Sequence, residues 1–130
     1  MEKKEKVPPY LVHVRGFPER KLMSISLKGF IDSDACHELI SKVRDNLAKM
    51  SPGFSLLTDL TLVTGMPSET YQLHIETMET VREHGVAKVA RVFGDERKDV
   101  GLRLASNFHY EGIPVNHFPT VTKALEWLFG

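Results

Sequence analysis

Tyr10-Leu11-Val12-His13-Val14-Arg15 is rich in β-branched and aromatic residues, the composition of a strand. Gly16-Phe17-Pro18-Glu19-Arg20 carries turn signals. From Leu22 to Ile31, apolar Met23, Ile25 and Leu27 then alternate with Ser24, Ser26 and Lys28. This pattern predicts an antiparallel hairpin with one face covered and one wet. The period changes next: Cys36, Leu39, Ile40, Val43, Leu47 and Met50 recur at helical spacing. Asp32, Ser33 and Asp34 offer three N-caps for that helix, and Ser51-Pro52-Gly53 ends it near Met50.

Phe54 to Leu60 is short and mostly apolar, as a strand buried on both faces should be. A second helix is expected from Pro67, at its first position, to His84, with Gly85 as its stop. Val86 to Phe93 reads as another strand, Gly94–Arg97 as a loop, and Asp99 to Tyr110 as a third helix carrying Leu104, Ala105 and Phe108. Ile113 to Phe118 is a last strand, and Thr120 caps a final helix with Val121, Ala124, Leu125 and Leu128 inward. The order ββαβαβαβα implies an α/β fold: a mixed, mostly parallel five-stranded sheet with four helices and an antiparallel first strand.

The chain has 130 residues, enough for one domain with a real core. Residues 1–6 form a mixed-charge tail and 7–130 a single domain. Lys+Arg and Asp+Glu both number 17, so there is no global field of the kind a non-specific nucleic-acid binder uses, and no nucleic-acid partner is expected. The lone cysteine, Cys36, rules out an internal disulfide and fits a reducing compartment. No apolar run approaches the roughly 20 residues of a membrane span, and the N-terminus has no apolar signal core. A cytoplasmic location follows as the expectation.

Six histidines, His13, His37, His74, His84, His109 and His117, lie on different elements, and none forms a His-x-x-x-His or Cys/His ligand pair. His74 and Glu76, two apart on a helix, face apart. No glycine-rich phosphate loop, Walker lysine or Gly-x-Ser-x-Gly is present, so neither cofactor nor enzyme activity is expected. A catalytic use of Asp59, His109 or His117 is the outside reading. Cys36 reads as a core residue, its nearness to a helix N-terminus offering a reactive thiolate as the alternative. Trp127 lies off the final helix's stripe and is free to cover a sheet edge or join an association surface.

In a parallel sheet, strand C-termini and helix N-termini collect on one rim, where unpaired amides attract anions and acidic side chains. The expected rim comprises Asp32, Ser33, Asp59, Thr61, Thr64, Ser68, Glu69, Thr70, Asp95 and Arg97. Asp59, ending a buried strand, needs hydrogen bonds from neighbours such as Thr61.

Four stretches carry a resemblance: Ser26–Asp32, Leu56–Ser68, Gly85–Val92 and Thr120–Leu128. Together and in order they are similar to STAS domains and the SpoIIAA-like group, in its uncharacterised bacterial branch. In the anti-sigma-antagonist branch the turn before the second helix reads Asp-Ser-Ser/Thr-Gly, and its second hydroxyl is phosphorylated. By that resemblance Asp59 and Thr61 match the strand end and Ser68 the first hydroxyl. Pro67 replaces the turn aspartate, Glu69 stands at the acceptor and Thr70 replaces the glycine. The resemblance implies a non-enzymatic regulatory or protein-interaction module that has lost the usual serine switch and has a protein partner. The alternative is a small-ligand or lipid binder with an apolar ligand, its pocket bordered by the wet strand face at His13, Arg15, Ser24 and Ser26. A homodimer stays open on either reading.

Overall fold

The computed structural model describes residues 9–93, 110 and 112–130. Its strands are β1 (Tyr10–Phe17), β2 (Leu22–Phe30), β3 (Ser55–Gly65), β4 (Lys88–Val92) and β5 (Val115–Phe118). They lie in the order β1-β2-β3-β4-β5, with β1 antiparallel to β2 and every other pair parallel. The expected mixed, mostly parallel five-stranded sheet is therefore present.

Among the described residues the helices are α1 (Ser33–Leu47), α2 (Tyr71–Glu83) and α3 (Val121–Phe129). The helix expected over Asp99–Tyr110, the tail at 1–6 and the loop at 94–97 fall outside the described residues, apart from Tyr110 itself. Of the three candidate caps Asp32 is the one used: its carboxylate accepts from the Ala35 amide at 3.0 Å. Thr120 does the same for α3, accepting from Lys123 at 3.2 Å. Gly85 sits at φ +95 just past α2, and a Cβ there would press on Pro52.

The period-two alternation sorts side chains onto two faces. The inner face carries Met23, Ile25, Leu27, Leu56, Leu60 and Val89, packed against the apolar stripes of α1 and α2. The outer face carries Leu22, Leu57, Ala90 and Val92 beneath Ala124 and Leu128 of α3. Among the described elements, α1 and α2 cover one face broadly, whereas α3 covers the other over β3–β5 and the Leu22 end of β2. Trp127 lies half-buried against this smaller core, 5.6 Å from the Phe118 ring and with the Lys88 ammonium 5.2 Å above it.

Candidate functional site

The strand expected to stop at Leu60 runs on to Gly65. Its partner β2 also continues, to Phe30, and the Ile31 amide then donates to the Gly65 carbonyl at 2.9 Å. Register explains how. Ser26 pairs with Asp59 but Lys28 with Leu62, so two steps on β2 span three on β3, which is a β-bulge. Asp59 stabilises it: one carboxylate oxygen accepts the Thr61 amide at 3.0 Å and the Thr61 hydroxyl at 2.8 Å. The bulge keeps Leu60 and Val63 on the core side and leaves Thr61, Leu62 and Thr64 exposed.

The expected rim is therefore split. Asp59 to Gly65 is six strand steps, roughly 20 Å, so Asp59 and Thr61 lie down the outer sheet face rather than at its end. The ridge at the C-terminal ends of β2 and β3 holds Asp32, Ser33, Ser68 and Glu69, the last two exposed on a single 3-10 turn over Ser68–Thr70. Pro67 is not the first helical residue. Its ψ of 146 is extended, so it flanks the turn, and α2 begins only at Tyr71. Thr70 is fully buried under the ridge and donates its hydroxyl to the Pro67 carbonyl at 2.7 Å. Asp95, Arg97 and His109 lie outside the described residues.

Below the ridge, between α2 and strands β2 to β4, is a cavity with room of about 40 Å³ for water centres. Apolar residues line most of it, and Thr58, His74, Thr77, Arg91 and Tyr110 are its polar lining residues. His74 is 5% exposed and its Nε2 lies 3.5 Å from Cys36 Sγ. Burial, then the charge of Arg91, pulls the His74 imidazole down to about 4. Burial pushes the Cys36 thiol up to about 11, with Asp32 adding to the rise and a hydrogen bond with Thr70 opposing it. Desolvation thus works against the reactive-thiolate alternative for Cys36 despite its place near the helix N-terminus. Burial also raises Tyr110 to about 12, against the pull of Arg91, whose guanidinium lies 6.0 Å from its ring. Near neutrality the thiol, imidazole and phenol are all uncharged, so Cys36 and His74 do not form the ion pair that nucleophilic catalysis uses.

Arg91 is only 4% exposed and donates to Met78 Sδ at 3.4 Å. Sequence reasoning missed it. The available signal was parity: Val89, Arg91 and, just past the strand, Phe93 share the core-facing phase of a strand whose other residues, Lys88 apart, are apolar. His117 stacks on Phe93 at 5.1 Å, and Glu76 turns away from His74 to meet Arg44 at 3.2 Å. Among the described residues no cluster of three or more His, Cys, Asp or Glu is placed to hold a metal ion, and no helix is long and apolar enough to cross a membrane.

No protein-family model and no curated protein matches the sequence. Solved structures do. An uncharacterised protein of the DUF3478 family, with a SpoIIAA-like fold, from Shewanella loihica superposes with a TM-score of 0.69 at 15% identity, over 98% of this chain and 99% of that one. An anti-sigma factor antagonist from Mycobacterium paratuberculosis gives 0.62 at 20% identity, over 97% and 100%. The phosphorylated form of the Bacillus cell fate determinant SpoIIAA gives 0.61 at 14% identity, over 90% and 98%. At such identities the likeness establishes architecture, and with the strand order above it assigns this chain the SpoIIAA-like fold.

Proposed function

We propose that this chain is a non-enzymatic regulatory module that works by binding a protein, in the cytoplasm, through the ridge formed by Asp32, Ser33, Ser68 and Glu69. The observation that carries the reading is the exposure of Ser68 and Glu69 on a short 3-10 turn beside the α1 cap. Two of the similar structures are anti-sigma factor antagonists or their phosphorylated form, which supports a role in regulation. Glu69 supplies a permanent negative charge, so recognition here needs no modification of that residue. The neutral Cys36–His74 pair supports a non-catalytic reading. The test is affinity capture from lysate with wild type and with the Ser68→Asp and Glu69→Ala variants. Wild type should retain one stoichiometric partner that the variants lose; no partner, or one held equally by all three, would contradict the ridge.

The second reading, a small apolar ligand, has less support: the cavity beside His74 and Arg91 is largely apolar, but its room of about 40 Å³ suits water-sized molecules. Native mass spectrometry of freshly purified protein decides: a co-purifying mass supports it, and a bare chain removes its support.

A further inference from the structure

Among the described residues, three of the four large exposed hydrophobic side chains, Leu11 (54% exposed), Phe30 (46%) and Leu62 (61%), belong to one face of the sheet. Register places Leu11 opposite Lys28 and Lys28 opposite Leu62, in a single row across three strands. The next rows are His13–Ser26–Asp59 and Arg15–Ser24–Leu57. This is the outer face; among the described elements α3 lies over β3–β5 and reaches β1 and β2 only at their Phe17–Leu22 end. The uncovered half thus combines three leucine or phenylalanine side chains with Lys28, Arg15 and His13. Its single carboxylate among the described residues, Asp59, is already bound to Thr61. Neither Lys28 nor Arg15 forms an ion pair among the described residues.

The mode of binding is restricted by the neighbouring edge. A partner strand added to β1 would need its outward backbone groups, and three of these already have side-chain partners. Lys42 Nζ donates to the Val12 carbonyl at 2.8 Å, and Asn46 accepts the Gly16 amide at 2.9 Å while its Nδ2 lies 3.5 Å from the Val14 carbonyl. Such capping is how sheets discourage edge pairing. Approach must therefore be onto the face. From β1 to β3 is roughly 10 Å, the width of one helix, and Arg15 to Leu11 spans about 14 Å, about two and a half helical turns. On the same face α3 already shows how a helix lies on this sheet.

We infer that the uncovered face of β1–β3 is a docking surface for an amphipathic helix of a protein partner, with apolar residues to meet Leu11, Phe30 and Leu62 and acidic residues beside them to meet Arg15 and Lys28, which lies between Leu11 and Leu62. The inference rests on the reading of the chain as an interaction module, but it uses a surface separate from the Ser68–Glu69 ridge.

The test is fluorescence anisotropy of the full chain against a labelled 18-residue helix-forming peptide with leucine at helical spacing flanked by glutamate, with a lysine-flanked counterpart as control. The expected result is saturable binding of the glutamate peptide, at least tenfold weaker binding of the lysine peptide, and at least a fivefold loss in each of Lys28→Glu and Leu62→Ser. Ser68→Asp and Glu69→Ala should bind as wild type, so failure of the ridge and failure of this face are distinguishable. Amide shift mapping on the wild type, which needs no variant to fold, should place the perturbations on β1–β3. The inference is overturned if neither peptide saturates, if perturbations fall on the ridge, or if phosphatidylglycerol vesicles bind through Lys28 and Leu62 while the peptide does not. Sedimentation showing that the face instead pairs two copies of the chain, with loss in Leu62→Ser, overturns it too.

Discussion

On the inner face of the sheet, Met23, Ile25, Leu27 and Leu56 meet α1 and α2, and even the polar groups there, His74 and Arg91, are cut off from water. On the outer face the same strands present Leu11, His13, Arg15, Ser24, Ser26 and Lys28, and only the part beneath α3 is buried. The strands are common to both faces; the helices are not. A residue's solvation therefore depends on which phase of the alternation it occupies and on whether a helix reaches it. Burial moves the titrations of His74, Cys36 and Tyr110 far from their ordinary ranges. The outer face keeps its charges available to a partner.

The largest contrast should come from two phenylalanines. Phe54 is fully buried, so Phe54→Ala should cost about 3–5 kcal/mol through lost contacts and the cavity left behind. Phe30 on the outer face is nearly half exposed, and Phe30→Ala should cost less than about 1 kcal/mol. Denaturant unfolding of both variants checks the pair, and equal losses would erase the distinction between the faces.

The next effect is a pH dependence. His74 is neutral in the fold with a value of about 4, below its ordinary 6.5, so the unfolded chain binds the extra proton first. Its contribution is fully present above about pH 6.5 and is lost as pH falls through about 4, a loss on the order of 3 kcal/mol. His74→Gln should flatten that part of the stability–pH curve. An unchanged slope would mean that His74 is hydrated.

A smaller effect belongs to the α1 cap. Asp32→Ala removes the bond to the Ala35 amide and should cost about 1 kcal/mol. Asp34→Ala, at an exposed site without that bond, should stay within about 0.5 kcal/mol. Thermal midpoints of the two variants separate them.

Much of the fold was legible because it is written in local periods. Met23, Ile25 and Leu27 declared the inner face of β2, and Cys36, Leu39, Val43 and Leu47 the inner stripe of α1. The hairpin, the Thr120 cap and the core role of Cys36 were equally readable. The site was less so. The length of β3 depends on pairing with Lys28, Gly29 and Phe30, over thirty residues away, and on a bulge that Asp59 closes. Leu60-Thr61-Leu62-Val63-Thr64 carried that signal as a run rich in β-branched residues, but the Asp59 strand-end reading masked it. With β3 longer, Asp59 and Thr61 separated from Ser68 and Glu69, and a rim that looked continuous in the chain became a ridge and a face. Arg91 was hidden for a related reason: a cation in an apolar strand gives no sign of which face receives it until the register is fixed.

The central claim is that the face carrying Leu62 is wet and available while the face carrying Leu56 is sealed. Leu56→Ser and Leu62→Ser, measured side by side by thermal unfolding and by anisotropy with the glutamate-flanked peptide, test it most directly. Leu56 is 2% exposed and its variant should lose about 2–5 kcal/mol. Leu62→Ser should unfold within about 0.5 kcal/mol of wild type yet bind the peptide at least fivefold more weakly. Comparable destabilisation by the two, or full peptide binding by Leu62→Ser, would contradict the account.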